Sequence, residues 1–376
     1  MIRAWVLLAL LLPLSVLAQG VPIPAPPQLG ANSYILMDFS TGHVIAETSP
    51  DEILDPASLT KLMTAYAGFK ALGQGQVSLD DQVYVSEKAW RTDGSRMFIE
   101  VDTYVSLEDL FRGMIIQSGN DASVALAEHV AGSEEAFVGL MNQHAEALGM
   151  TSSSFRNSTG LPEADHYMTA RDTVVLARAI ISEFPDYYSW YSERDFTYND
   201  ITQHNRNALL WRDPSVDGLK TGYTAAAGYC LVTSAERSGM RLISVVMGMD
   251  SPEARVSASQ ALLNYGFRFY ETHKLYTGGE EITNARVWGG EPQTAALGLM
   301  EDLYLTIPRG GFDALSAAMD LDPELIAPLE THTPVGYVRV SLDGESLSEM
   351  PLVALHDVPE ASLWARIKDE ISLWMQ

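Results

Sequence analysis

The chain has 376 residues, 47% of them hydrophobic and 19% charged, enough for two or three folded units with substantial cores. Its formal net charge of −25, from 49 acidic and 24 basic residues, excludes nucleic acid as a partner, because phosphate binding needs a basic face. With one cysteine, Cys230, no intramolecular disulfide can form, and stability has to come from the core alone.

The N-terminal text "MIRAWVLLALLLPLSVLAQ" carries Arg3, an apolar run from Trp5 to Leu12, and Val16-Leu17-Ala18 ahead of Gln19. It predicts a secretory signal peptide over residues 1–18, cleaved before Gln19. An uncleaved membrane anchor is the alternative, but the run is short and Pro13 interrupts it. "QGVPIPAPPQLG" opens a proline-rich lead over 19–32, expected to reach toward the first strand and lie outside the fold.

Two apolar runs in "NSYILMDFSTGHVIAE" flank the turn Ser40-Thr41-Gly42 and predict a hairpin. Helical text follows from Ser58 to about Leu72. Ser106 and Asp109 form a capping pair ahead of "LEDLFRGMII". After a break at "QSGN", "DASVALAEHVAG" and "SEEAFVGLMNQHAEALG" predict helices ending at Gly132 and Gly149. Thr169 caps a fourth, "ARDTVVLARAIISEF". Loop-rich text runs to Leu219, followed by a hairpin around Cys230 and a helix from Pro252 to Phe267. A lone cysteine can be a nucleophile, but this setting makes Cys230 a small buried strand residue. A hairpin at each end of a helical block implies an α+β domain over 33–276 whose sheet joins distant parts of the chain.

From Thr277-Gly278-Gly279 the texture changes to short alternating segments such as "LYLTI", "GYVRVSL" and "PLVALHDV", a small all-β domain over 277–360. The tail, 361–376, returns to helical periodicity. Leu363, Trp364, Ile367, Ile371, Trp374 and Met375 fall on one arc, with Arg366, Asp369, Glu370 and Gln376 outside it. At about 24 Å and with four charges, such a helix is too short to cross a bilayer. It suits the membrane interface, the alternative being that its apolar face packs on the β domain.

Three short strings carry chemistry. In "PASLTK", Ser58 and Lys61 sit three apart at a helix start, so both project from one face, a hydroxyl beside a potential base. Ser118-Gly119-Asn120 falls between two helices, where polar side chains can face a cleft. Lys220-Thr221-Gly222 opens the late hairpin, its glycine allowing close approach to the strand and its lysine supplying a fixed charge. Singly, each is commonplace: a solvated first turn, a loop, an exposed strand start. The order S-x-x-K, S-x-N, K-T-G in separate elements is not commonplace.

That order resembles the penicillin-interacting serine enzymes, where the three motifs line one active site. "PASLTKLMT", "QSGNDASVALAEHVAGS", "VDGLKTGYTAAAGYCLV", "YGFRFYET" and "LYLTIPRG" are similar to the low-molecular-mass penicillin-binding proteins of the D-alanyl-D-alanine carboxypeptidase type, from about Ser33 to the C-terminal helix. The resemblance implies a transpeptidase-like domain (an antiparallel sheet flanked by helices, as in serine β-lactamases), then the small β domain and the amphipathic helix. It makes Ser58 the nucleophile, Lys61 its base, and Ser118 and Asn120 the proton relay and amide-orienting pair. Lys220, Thr221 and Gly222 bind substrate, with backbone N–H groups of Ser58 and Tyr223 forming the oxyanion hole. Arg255, in "SPEARVSAS", supports the substrate carboxylate. Two lysines in one cleft depress one another's pKa, which favours a neutral Lys61. Many relatives carry His where this chain has Tyr223, a departure that bears on deacylation and substrate preference.

The implied partners are peptidoglycan stem peptides, β-lactams, the outer face of the cytoplasmic membrane through the tail, and cell-wall proteins through the β domain. No metal or organic cofactor is implied. A serine β-lactamase is disfavoured, since no E-x-x-L-N segment is found and the middle motif is S-G-N. A DD-endopeptidase shares the site. A non-catalytic β-lactam-binding scaffold is the reading from another class.

Overall fold

Period-two alternation in the longest strands sets the architecture. In the computed structural model, which describes residues 23–374, five antiparallel strands form one sheet: β1 (Ser33–Asp38), β2 (Val44–Thr48), β3 (Val216–Thr224), β4 (Gly228–Arg237) and β5 (Met240–Met249). Their spatial order is β2-β1-β5-β4-β3, so the first hairpin of the chain is stitched to the last. Ile35, Val232, Ile243 and Val245 enter a core beneath the helical block, while Leu36, Leu231, Leu242 and Val246 point to the opposite side. Both faces are therefore covered, and the middle strands carry apolar residues on each face.

The helical block comprises α1 (Thr60–Gly73), α2 (Asn120–Ala131), α3 (Glu134–Ala147) and α4 (Ala170–Glu183). The opposite face is covered by α5 (Pro252–Phe269), which runs two residues past the helix expected from the sequence. Ser106 caps the short helix Leu107–Arg112 by accepting from Asp109 N at 3.1 Å, and Thr169 caps α4 in the same way. The text before Leu219 is less loop-like than its composition suggests. It holds a hairpin, Asp195–Tyr198 with Ile201–His204, turning at Asn199 and Asp200, both with positive φ. Strands of four residues are too short for alternation to show.

The signal segment lies outside the described residues. The proline-rich lead was expected outside the fold, but its described part is not: Ile23 and Leu29 pack beside α5, and Tyr265 Oη donates to the Pro24 carbonyl at 2.9 Å. Extended proline-rich backbone can lie along a helix without needing ladder partners.

Beyond α5, Tyr270–Tyr276 pairs with Leu303–Pro308. A six-stranded sheet follows, ordered Leu315–Leu321, Pro334–Leu342, Glu345–Ala354, Thr294–Gly298, Thr283–Trp288, Leu325–Ile326. Its core contains Val287, Leu297, Ile307, Val338, Val340 and Leu352. The two units meet through a polar cluster. Fully buried Asp38 accepts from Thr41 Oγ1 at 3.0 Å and Thr272 Oγ1 at 2.7 Å, and Thr41 Oγ1 lies 2.7 Å from Thr306 Oγ1.

The last helix, α6 (Leu363–Trp374), docks by its polar side. Asp369 is 4% exposed and accepts from Arg286 at 3.1 Å and from Gly289 N at 3.0 Å. Leu363, Trp364, Ile367, Ile371 and Trp374 remain exposed, so their face is not the one packed on the β domain. Among the described residues no helix is long and apolar enough to cross a membrane.

Candidate active site

Ser58 and Lys61 lie on the first turn entering α1, where Ala57 adopts φ +48°, a conformation a non-glycine residue holds only under constraint from its surroundings. The constraint is visible. Gly222 on β3 packs so closely that a Cβ there would stand 3.1 Å from the Pro56 carbonyl and 3.3 Å from Ala57 Cβ. The glycine of K-T-G thus lets an edge strand lie against the serine turn.

Lys61 is 1% exposed. Its Nζ lies 3.2 Å from Ser58 Oγ, 2.6 Å from Asn120 Oδ1 and 2.6 Å from the Thr159 carbonyl. Burial, then the charge of Arg206, lowers its pKa to about 7, against a smaller raising influence from Asp121. A neutral amine has two N–H groups and one lone pair. The two short contacts absorb the hydrogens, which leaves the lone pair for the Ser58 hydroxyl. That is the geometry of a general base for Ser58.

Ser118 and Asn120 follow a π-turn, Gly113–Gln117, an irregularity that breaks the helix and leaves Ser118 at φ +69°. Asn120 is fixed from its other end by donating to the Asp93 carbonyl. Asp121, 1% exposed, accepts from the backbone N–H groups of Met97, Phe98, Ile99 and Ala122, and so ties the 93–99 loop over α2. Ser118 Oγ is buried at the cleft wall and has no hydrogen-bond partner among the described residues. It is not hydrogen-bonded to Lys220, whose Nζ instead donates to the Thr221 carbonyl at 3.2 Å. Burial, followed by the charges of Lys61, Arg206 and Arg255, holds Lys220 well below the ordinary lysine value.

These groups border a cleft of about 660 Å³, lined by Ser58, Ser118, Thr221, Gly222, Tyr223 and Arg255 together with Gly94, Ser95, Arg206 and Tyr229. Arg255 donates to the carbonyls of Gly222 at 3.1 Å and Cys230 at 3.4 Å, sits over the Tyr229 ring, and buries an Nε without a partner. Tyr223 stacks on Tyr229 at 4.2 Å between centroids and is 54% exposed at the rim. Cys230 is fully buried behind the cleft, its thiol raised by burial to about 11.

Every residue expected from the sequence thus borders or supports one cleft, and five more contributors were missed. Arg206 stands between buried Asn205 and Asn207, whose amides grip the Tyr191, Glu193 and Gly218 carbonyls and fix the turn that presents it. The triplet Asn-Arg-Asn was the available signal. Thr159 acts through a backbone carbonyl, and Gly94 and Ser95 line the cleft from a loop. None of these has a signature in side-chain type. Tyr229, two strand residues beyond a turn, was legible only as β text.

Four basic side chains, Lys61, Arg206, Lys220 and Arg255, converge on a cleft in a chain of charge −25. Such a site draws an anionic substrate and, with an activated hydroxyl, defines an acyl-transfer enzyme of the penicillin-interacting class. Comparison with known families gives the particular branch. Residues 21–251 match the D-alanyl-D-alanine carboxypeptidase model of peptidase family S11, and residues 270–360 match the C-terminal domain of penicillin-binding protein 5. The chain belongs to the D-alanyl-D-alanine carboxypeptidase family. It is 44% identical over 359 residues to D-alanyl-D-alanine carboxypeptidase DacA of Escherichia coli strain K12, covering 93% of this chain and 89% of that one. Against DacF of Bacillus subtilis strain 168 the identity is 35%, covering 92% and 90%. The crystal structure of penicillin-binding protein 5 from Haemophilus influenzae superposes with a TM-score of 0.86 at 42% identity, covering 90% of this chain and all of that one.

Proposed function

We propose that the protein is a serine-type D-Ala-D-Ala carboxypeptidase that releases the terminal D-alanine of peptidoglycan pentapeptide stems through an acyl-enzyme on Ser58. The observation that carries this reading is the Lys61 geometry: two acceptors at 2.6 Å and Ser58 Oγ at 3.2 Å from one buried Nζ. Lys61 takes the hydroxyl proton as Ser58 attacks the penultimate D-Ala carbonyl. The oxyanion is held by backbone N–H groups of Ser58 and of Tyr223 on the edge strand. The departing D-alanine amine takes a proton through Ser118 and Lys61, and a water molecule then hydrolyses the ester by the same route. The substrate carboxylate meets Lys220 with Thr221, and Arg255 supports them. An arriving carboxylate favours the charged form of Lys220, and that charge favours the neutral form of Lys61. β-Lactams acylate the same serine.

Labelled penicillin tests the assignment. Ser58→Ala abolishes covalent labelling and D-alanine release together. Wild-type labelling of that variant rejects Ser58 as nucleophile.

The export signal and the exposed apolar stripe of α6 support a periplasmic enzyme held at the outer face of the cytoplasmic membrane. Trp364 and Trp374, 82% and 91% exposed, sit where interfacial aromatics anchor a helix lying in the headgroup region. The β domain offers a surface for cell-wall protein partners.

A further inference from the structure

The contact that completes the Lys61 hydrogen-bond set comes from the Asn157–Gly160 turn, a segment outside the three motifs. Asn157 Oδ1 accepts from Thr159 N at 3.2 Å, Thr159 Oγ1 at 3.0 Å and Gly160 N at 2.8 Å, which holds the turn rigid from within. Two clamps fix it to the helices. Ser158 O accepts from Thr64 Oγ1 at 2.7 Å, while Ser158 N and Oγ donate to Glu134 Oε1, whose other oxygen pairs with Lys88 at 2.7 Å.

The second clamp is His166. Its ring is 4% exposed, lies edge-on to Phe155, and places Nε2 at 2.9 Å from Thr60 Oγ1, on the residue next to Lys61. Arg156 N donates to its Nδ1 at 3.4 Å. A backbone N–H can only donate, so Nδ1 is the acceptor nitrogen and Nε2 carries the hydrogen toward Thr60. An imidazolium would set two donors against each other at Nδ1.

We propose that His166 is a positioning residue for the acyl-transfer base: by pinning the 154–168 segment to Thr60, it holds the Thr159 carbonyl against Lys61 Nζ and so aims the amine lone pair at Ser58. Without that carbonyl, one N–H of the neutral amine competes for Ser58 Oγ and the lone pair turns away. Burial, the largest cause, lowers the His166 pKa to about 4, with Glu163 and Asp55 raising it and Arg156 and Lys61 lowering it, so the ring stays neutral wherever Lys61 can act as base. Lys61 itself faces Arg206 and Asp121. The proposal rests on the Ser58–Lys61 assignment, and its test separates the two.

The test is carried out on the full chain, following penicillin acylation and D-alanine release from a D-Ala-D-Ala peptide between about pH 5 and 10. His166→Leu lowers kcat and the acylation rate by about tenfold, with KM changed by about twofold at most, because one hydrogen bond that orients the base is lost. Its acid limb moves up by about one pH unit as water reaches Lys61 and relieves the burial that depressed it. His166→Gln, which can accept from Arg156 N and donate to Thr60, keeps the wild-type limb and most of the rate. Thr60→Val removes the same link without touching the ring, and shifts the limb in the same direction even if His166→Leu fails to fold. A wild-type rate and limb in both His166→Leu and Thr60→Val overturns the proposal. Equal slowing of the Leu and Gln variants with the limb in place also overturns it, since that is the mark of packing alone. If Ser58→Ala still labels, the site assignment fails; if it is dead while His166→Leu is normal, only the positioning role fails.

Discussion

At the residue scale, the proposed mechanism turns on the charge state of one buried amine. A base must be neutral to accept a proton, and Lys61 is lowered to about 7, so kcat/KM for a D-Ala-D-Ala peptide rises with pH and levels off above about 7. Arg206 is the leading charged contributor to that lowering, after burial. Arg206→Ala therefore raises the Lys61 pKa and moves the acid limb of the rate profile upward, which stopped-flow acylation by a fluorescent penicillin measures. An unmoved limb would show that burial alone sets the base. Ser58, Lys61, Ser118, Asn120 and Lys220 stood out in the sequence as candidates because each motif is read within one turn or strand. Arg206 did not, because what places it at the cleft is the grip of Asn205 and Asn207 on carbonyls from other segments. The acceptor at Thr159 is a backbone group, and side-chain chemistry cannot announce it.

At the element scale, the cleft depends on backbone approaches that exclude a side chain. Gly160 sits at φ +84°, and a Cβ there would lie 1.8 Å from the carbonyl of Ala57, the residue preceding Ser58. Gly160→Ala cannot be absorbed by a rotamer change, because the obstructing atom is backbone. It pushes the 157–160 turn off the serine turn and costs about 2 kcal/mol or more, the left-handed conformation alone accounting for 1–2. Thermal melting reads the stability loss, and penicillin acylation falls with it. A variant that melts and acylates like wild type would show that the turn can move without consequence. The main hairpins and helices were legible because periodicity of 2 or 3.6 is carried over enough residues to be seen. The hairpin of four-residue strands at 195–204 and the packing of the proline-rich lead were not, since each is decided by what tertiary contacts offer to short segments.

At the scale of the whole molecule, the open question is how the catalytic cleft is placed relative to its polymeric substrate, and α6 is the element that bears on it. Its apolar residues follow one stripe, yet the helix meets the β domain through buried Asp369, held by Arg286 and Gly289 N. A soluble protein ordinarily buries such a stripe; here Leu363, Ile367 and Ile371 are 75%, 44% and 56% exposed beside the two tryptophans. Each large apolar side chain moved from water into an apolar medium gains about 1.5–3 kcal/mol, so five together exceed what is needed to hold a protein at a lipid surface. Arg366 and Lys368 are balanced by Asp369 and Glu370, so electrostatic attraction to anionic lipid contributes little and attachment resists salt. Truncation before Ala361 removes the stripe and the Asp369 contacts, but no strand of the six-stranded sheet and no residue lining the cleft. The truncated enzyme is therefore expected in the soluble fraction, with D-alanine release from a soluble peptide unchanged, while the full chain stays with membranes through a wash at about 1 M salt. A truncated protein that still sediments with membranes, or a full chain released by salt, rules out anchoring by apolar burial of α6.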